Sequence, residues 1–127
     1  MTPSDQSIQV FDEVFLSADT GGGGVERTNS EPLHVAGNTI VISARLVNSV
    51  GLDMSNKLVL LLEGTYDDKA WMSLYSSNKV EFSADVPSST ASSTLTGISF
   101  SSVRLRATVN GASTKAVFSA WIAFSNQ

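Results

Sequence analysis

The chain has 127 residues, of which 42% are hydrophobic and 16% are charged, and it contains no cysteine. This length suits one domain with one core, and the composition lies far from the polar, highly charged range of disordered chains. The lack of cysteine excludes disulfides and thiolate metal sites, and a net charge of −4 with eight dispersed Lys and Arg residues argues against a nucleic-acid partner.

Two features predict synthesis in the cytoplasm. The first ten residues, MTPSDQSIQV, lack the basic region and apolar run of a secretory signal. No segment reaches the roughly 18 continuous apolar residues that a membrane span needs. We therefore expect a cytoplasmic protein without a membrane partner.

The first half of the chain alternates between apolar and polar residues in the way that β-strands do. The segment 7–18, SIQVFDEVFLSA, predicts one bent strand or two short ones, with Val10, Val14 and Leu16 buried. In 39–50, TIVISARLVNSV, period-two alternation predicts a strand that turns its two isoleucines to the core. KLVLLLEG, which follows, is apolar on both faces, as is typical of a central strand.

A glycine-rich segment at about 19–32, DTGGGGVERTNSEP, separates these strands. Glycine loses more backbone freedom on folding than other residues, so we predict a loop here. A phosphate-binding loop needs a Lys and a Ser or Thr after its glycines, and Val25, Glu26 and Arg27 stand there instead. We predict that the loop contacts a neighbouring subunit, and its interface candidates are Gly21, Gly22, Gly23, Gly24 and Arg27.

Strand signals continue through the second half. EPLHV at 31–35 and KVEFSADV at 79–86 predict short strands, and PSSTASSTLTG at 87–97 predicts an exposed loop or the start of another strand. In SVRLRATV, apolar residues alternate with Arg104 and Arg106, so one face of this strand is expected to be wet or to meet a partner.

The connection NGAST leads to the last strand signal, KAVFSAWIAF. Asn-Gly between two alternating runs is a strong hairpin signal, so the last two strands are predicted to pair antiparallel. Helical spacing is weak throughout. About seven or eight short strands with turns between them predict an all-β antiparallel β-sandwich or jelly roll in a single domain, 1–127. We expect one core to contain Leu58, Leu60, Leu62, Val103, Leu105, Val109 and Phe118.

The segment 60–74, LLLEGTYDDKAWMSL, carries the sharpest candidate for chemistry. Glu63, Asp67 and Asp68 supply hard oxygens of the kind that calcium binds, although their spacing excludes an EF-hand. Aspartate also tolerates turn dihedrals and bonds its own backbone, which favours a turn over a calcium site. Trp71 packs over the core, or stands at a loop edge as a sugar platform or interface anchor.

Catalytic side chains are scarce. His34 is the only histidine, and a packing or surface role is favoured over a general base. No Gly-x-Ser-x-Gly elbow occurs. The many carboxylates leave a paired-carboxylate glycosidase formally possible, but sequence alone does not place any two of them relative to each other. We therefore predict a protein that is not an enzyme and has no cofactor and no metal.

LLLEGTYDDKAWMSL, followed by SFSSVRLRATV and KAVFSAWIAF, resembles the apolar strand, Gly-Ser-x-Asp-Gly-x-x-Trp turn and Arg-Tyr-hydrophobic-Arg strand of discoidin-like jelly rolls. The resemblance extends from Leu58 to Phe124, and Thr65, Asp68 and Ser102 replace the residues usual in that pattern. Similar abbreviated patterns occur in small virion proteins of tailed bacteriophages. The resemblance implies a jelly-roll fold.

Two functions follow from this resemblance. The virion likeness implies a non-enzymatic assembly protein, such as a head decoration, neck or tail accessory subunit, made in the host cytoplasm. It would bind capsid or tail shell subunits and copies of itself in multiple copies, and Trp71, Arg104 and Arg106 join the glycine-rich loop as candidate contacts. The discoidin likeness implies the alternative, a carbohydrate-binding module that uses Asp67, Asp68 and Trp71. A small hydrolase is the third hypothesis, and the sequence leaves open the virion part and the oligomeric state.

Overall fold

The computed structural model describes residues 7–18, 24–73 and 79–126, and it shows two antiparallel β-sheets packed face to face. No α-helix occurs in these ranges, and they contain no helix that could cross a bilayer. The predicted all-β sandwich is confirmed, and the described ranges contain ten strands in place of the expected seven or eight. The strands are β1 (Ser7–Ser17), β2 (Val25–Asn29), β3 (Leu33–His34), β4 (Thr39–Val50), β5 (Leu58–Thr65), β6 (Met72–Ser73), β7 (Val80–Phe82), β8 (Ser89–Leu95), β9 (Ser102–Asn110) and β10 (Lys115–Ser125).

One core lies between the sheets. Sheet A has the order β1–β10–β4–β8, and sheet B has the order β2–β9–β5–β6, with β3 also paired to β9 and β7 to β5. The inner faces meet because their residues are apolar at every second position, as in β9, where the arginines point outwards. All seven predicted core residues are buried in this single cluster: Leu58, Leu60, Leu62, Val103, Leu105, Val109 and Phe118.

β1 is a single bent strand. The register shifts on both sides of Phe11, which turns this ring into the core against Phe118, at 5.2 Å between ring centroids. Leu16 is buried as predicted, whereas Val10 and Val14 are only half-buried and pack at the margin of the core. A β-bulge adds a residue to one strand, so simple alternation assigns the wrong face beyond it.

The predicted hairpin between the last two strands is wrong. β9 pairs with β2, β3 and β5 in sheet B, while β10 pairs with β1 and β4 in sheet A. The NGAST segment therefore carries the chain from one sheet to the other. Its Gly111 has a φ of 100° and donates its amide to the carbonyl of Gly24 at 2.8 Å. A turn signal specifies a reversal of the chain, and the neighbours of each strand are set by long-range packing.

The predicted glycine-rich loop at about 19–32 is wrong for Val25–Asn29, because these residues form β2 along one edge of β9. An edge strand that is covered on one face tolerates the polar sequence VERTN. The neighbouring glycines favoured a loop prediction, so the strand was not recognised in the sequence. Gly24, with a φ of 75°, leads into the strand. The candidates Gly21, Gly22 and Gly23 lie outside the described residues.

Candidate functional site

The turn between β5 and β6 is stabilised by Thr65 and Asp67. One carboxylate oxygen of Asp67 accepts hydrogen bonds from the backbone amides of Lys69 and Ala70 at 2.9 and 3.0 Å. The hydroxyl oxygen of Thr65 accepts a bond from the amide of Asp68 at 3.0 Å. The amides of Ala70 and Lys69 favour the charged carboxylate and hold the pKa of Asp67 below its usual value. Asp67 therefore acts within the turn itself.

Glu63 lies on the outer face of sheet B, opposite Arg104 of β9. Its carboxylate, only 7% exposed, binds Nε of Arg104 at 2.8 Å and a terminal nitrogen of Arg106 at 3.1 Å. Glu63 pairs with two guanidiniums, and Asp67 bonds the backbone of its own turn. These carboxylates therefore do not converge on one point where a calcium ion could bind both. Within the described ranges, no three His, Cys, Asp or Glu side chains group in a way that could hold a metal.

Trp71 follows the turn and lies against Arg104. The guanidinium carbon is 4.1 Å from the centroid of the indole ring, which is cation–π geometry. The carboxylate of Glu63 binds Nε of the same arginine. The buried carboxylate therefore positions Arg104, and Arg104 in turn positions the half-buried ring of Trp71. The three side chains form one connected unit at the surface of sheet B.

A pocket of about 360 Å³ opens beside this unit, and we call it the Trp71 pocket. Strand β3 forms one side of it, because Leu33 pairs with Val103 and His34 pairs with Ser102. The turn brings Asp68 to the opposite side through a backbone φ of 63°. The lining residues are Pro32, Leu33, His34, Asp68, Trp71, Ser102 and Arg104.

An aromatic pair stabilises the base of the same turn. Tyr66 stacks on Phe100 with 4.4 Å between ring centroids, and Phe100 lies directly over Gly64 of β5. A Cβ atom on Gly64 would lie 2.6 Å from the ring of Phe100, so this position has room only for glycine. The turn that carries Trp71 is thus fixed by packing as well as by hydrogen bonds.

The structure brings together three of the predicted site residues, Asp68, Trp71 and Arg104, in the Trp71 pocket. Arg106 lies outside the lining and bonds Glu63 and Ser73. Arg27 is exposed on β2. The sequence did not suggest the other four lining residues as ligand contacts. The pairing of β3 with β9, which no local pattern specifies, brings them to the pocket: Pro32, Leu33, His34 and Ser102.

The Trp71 pocket offers an aromatic ring together with both hydrogen-bond donors and hydrogen-bond acceptors. Arg104 supplies donors, Asp68 supplies acceptors, and Ser102 and His34 can do either. Pockets with an apolar surface and a few converging polar groups are typical of small-ligand sites. This one suits a ligand with an apolar face and several hydroxyl groups.

Searches of family models and of curated proteins find no match to this sequence. Among solved structures, the chain is similar to TmCBM61, a carbohydrate-binding module whose structure was solved in complex with β-1,4-galactotriose. The TM-score is 0.50 at 8% sequence identity, and the match covers 94% of this chain and 88% of that chain. At this identity the likeness shows a shared β-sandwich fold.

Proposed function

We propose that the protein is a non-enzymatic carbohydrate-binding domain and that the Trp71 pocket binds a neutral oligosaccharide. The observation that carries this proposal is the indole of Trp71, held against Arg104 at 4.1 Å at the edge of a polar pocket. The likeness to a carbohydrate-binding module of the same fold supports it. This is the alternative that the discoidin-like sequence pattern implied.

In the pocket, the indole ring and the polar groups contact different parts of the sugar. The C–H face of a pyranose packs on an indole, while its hydroxyls exchange hydrogen bonds with Asp68, Arg104 and Ser102. The ion pair with Glu63 orders Arg104 before the ligand arrives, so less side-chain entropy is lost on binding. Asp67 contributes indirectly, because its bonds to Lys69 and Ala70 hold the turn.

The test is calorimetric titration with β-1,4-galactotriose together with a glycan array. Trp71→Ala is expected to weaken binding of any glycan found by at least about tenfold, in line with the loss of a buried aromatic anchor. The matched control is Phe15→Ala, which removes an aromatic ring that is 58% exposed on sheet A. Lack of any glycan ligand, or equal affinity in the Trp71 variant and the control, would reject the proposal.

The virion assembly role remains a prediction. It rests on the resemblance of the sequence to phage virion proteins, and residues 19–23 of the glycine-rich loop, its candidate contact surface, lie outside the described ranges. The fold and the comparisons carry no observation on shell subunits, self-association or a location in a virion. Co-sedimentation with capsids or tails remains its direct test.

A further inference from the structure

A second tryptophan stands on the outer face of sheet A, on the other side of the sandwich from the Trp71 pocket. In β10, Ala120 and Ile122 are buried, so Trp121 between them points outwards and is half-buried. Its cross-strand neighbour in β4 is Ser43, whose own neighbour in β8 is Ser92. Because both serines are small, the indole borders a groove that runs across three strands.

This Trp121 groove has a volume of about 550 Å³. Strand β8 is the edge strand of sheet A, and it turns Thr90, Ser92 and Thr94 outwards. Hydroxyl groups therefore dominate the floor and one side of the groove, and the indole forms the other side. The lining residues are Ser43, Ala44, Arg45, Thr90, Ala91, Ser92 and Trp121.

Arg45 sets the charge of the groove. It lies two residues along β4 from Ser43, about 6.8 Å in an antiparallel strand, and its side chain is exposed. In the described part of the chain, the ion pairs join Glu63 to Arg104 and Arg106, and Glu81 to Lys57 and Lys79. None of them includes Arg45.

The acidic residues nearest along the sheet lie beyond β10. Ser119 is the partner of Arg45 on β10, and its hydroxyl accepts the amide of Glu13 on β1 at 2.9 Å. Glu13 is thus two strands away from Arg45, and it forms no ion pair with this arginine in the described residues. Among the described residues, the groove therefore presents a cation that no carboxylate neutralises, even though the whole chain carries a net charge of −4.

We propose that the Trp121 groove is a second binding site, for an oligosaccharide whose sugar units carry carboxylates. A guanidinium forms paired, charge-assisted hydrogen bonds with a carboxylate, and it does so in a fixed planar geometry. The indole offers a platform for the C–H face of the sugar ring, and the serine and threonine hydroxyls can bond its hydroxyls. A groove that crosses three strands fits a chain of sugars, with one acidic unit at Arg45.

The proposal does not depend on the Trp71 pocket, because the two sites lie on different sheets and share no residue. They also differ in charge. Arg104 in the Trp71 pocket is already paired with Glu63, whereas Arg45 is available for an anionic ligand. A neutral glycan is therefore expected at the first site and an acidic glycan at the second.

The experiment is calorimetric titration at low salt with an oligomer of galacturonic acid, with its fully methyl-esterified form, and with β-1,4-galactotriose. The acid oligomer is expected to bind at least about tenfold more tightly than the ester, because the ester lacks the charge that Arg45 pairs with. Its affinity should also fall as salt is added. Trp71→Ala should leave the binding of the acid oligomer unchanged. Failure of one proposal can therefore be distinguished from failure of the other.

Three variants locate the binding, and a fourth serves as a control. Arg45→Ala and Trp121→Ala are each expected to weaken the acid oligomer about tenfold or more, while Arg27→Ala removes an exposed arginine from sheet B as a control. Ser92→Leu fills the groove while Arg45 and Trp121 stay in place, and it should also abolish binding. This variant keeps the test valid if Trp121→Ala fails to fold. The proposal is overturned by no binding of the acid oligomer, by equal binding of its ester, or by binding that survives both Arg45→Ala and Ser92→Leu.

Discussion

Replacing Glu63 by glutamine is expected to weaken the fold and the Trp71 pocket together. The carboxylate is 7% exposed and binds Arg104 at 2.8 Å and Arg106 at 3.1 Å. Removing one partner of a buried ion pair costs about 3–5 kcal/mol. The two arginine side chains keep 22% and 29% of their exposure, so water can solvate them in the variant. We therefore expect Glu63→Gln to lower the free energy of unfolding by about 2–3 kcal/mol.

Urea denaturation measures this loss. At a slope of about 1.5–2 kcal/mol per molar urea, the midpoint should fall by about 1–2 M with an unchanged slope. The matched control is Glu81→Gln: Glu81 bonds Lys57 and Lys79, each at 3.0 Å, but is 29% exposed. Exposed pairs of this kind contribute about 0–1 kcal/mol. Galactotriose titration of Glu63→Gln should also show weaker binding, because Arg104 loses its anchor beneath Trp71.

Equal midpoints for the Glu63 and Glu81 variants would refute this reasoning, since it ranks the ion pairs of Glu63 above those of Glu81 by burial. A destabilised Glu63 variant with unchanged glycan affinity would refute the second step alone. In that case Arg104 would hold its place without the carboxylate, and the ordering of the Trp71 pocket would rest on the turn.

Three further predictions concern stability. Leu60→Ala should lower the free energy of unfolding by about 2–5 kcal/mol in a denaturant melt, because Leu60 is fully buried in the core. Gly64→Ala should lower it by about 1–3 kcal/mol, because the added methyl group meets the ring of Phe100; a variant as stable as the parent would show that the ring moves freely. The hydroxyl of Ser49, which donates to Asp85 at 2.6 Å, holds the pKa of Asp85 below 3.8, so the unfolded chain takes up a proton first as the pH falls. Stability should therefore decline below about pH 4, and Asp85→Asn should make that decline shallower in melts from pH 6 to 3.

The fold class was predictable because burial imposes a local period of two. β9 shows this clearly, since its four apolar residues from Val103 to Val109 are fully buried and Arg104 and Arg106 lie outside. The hairpin prediction for NGAST failed for the opposite reason. The pairing partners of β10 are β1 and β4, which are distant in sequence, and no residue in the turn encodes them.

The candidate site was predictable only in part. Asp68, Trp71 and Arg104 stand out as residue types, but their convergence depends on the register that sets Glu63 opposite Arg104. His34 joins them through β3, a two-residue strand within the segment predicted at 31–35, but no local pattern specifies that β3 pairs with β9. Trp121 could have been found, because the alternation of KAVFSAWIAF places it on the face opposite Phe118, Ile122 and Phe124, which point inwards.

The pairing of the first strand with the last has a kinetic consequence. Ser7 of β1 lies opposite Ala123 of β10, and β10 separates β1 from β4 in sheet A. Sheet A therefore cannot assemble on the ribosome until the final strand has emerged. Closing so long a stretch of chain costs entropy before any contact is gained, and domains of this topology typically fold in milliseconds to seconds. A nascent chain stopped before Lys115 would lack the centre of a sheet, and we expect it to stay unfolded and be degraded.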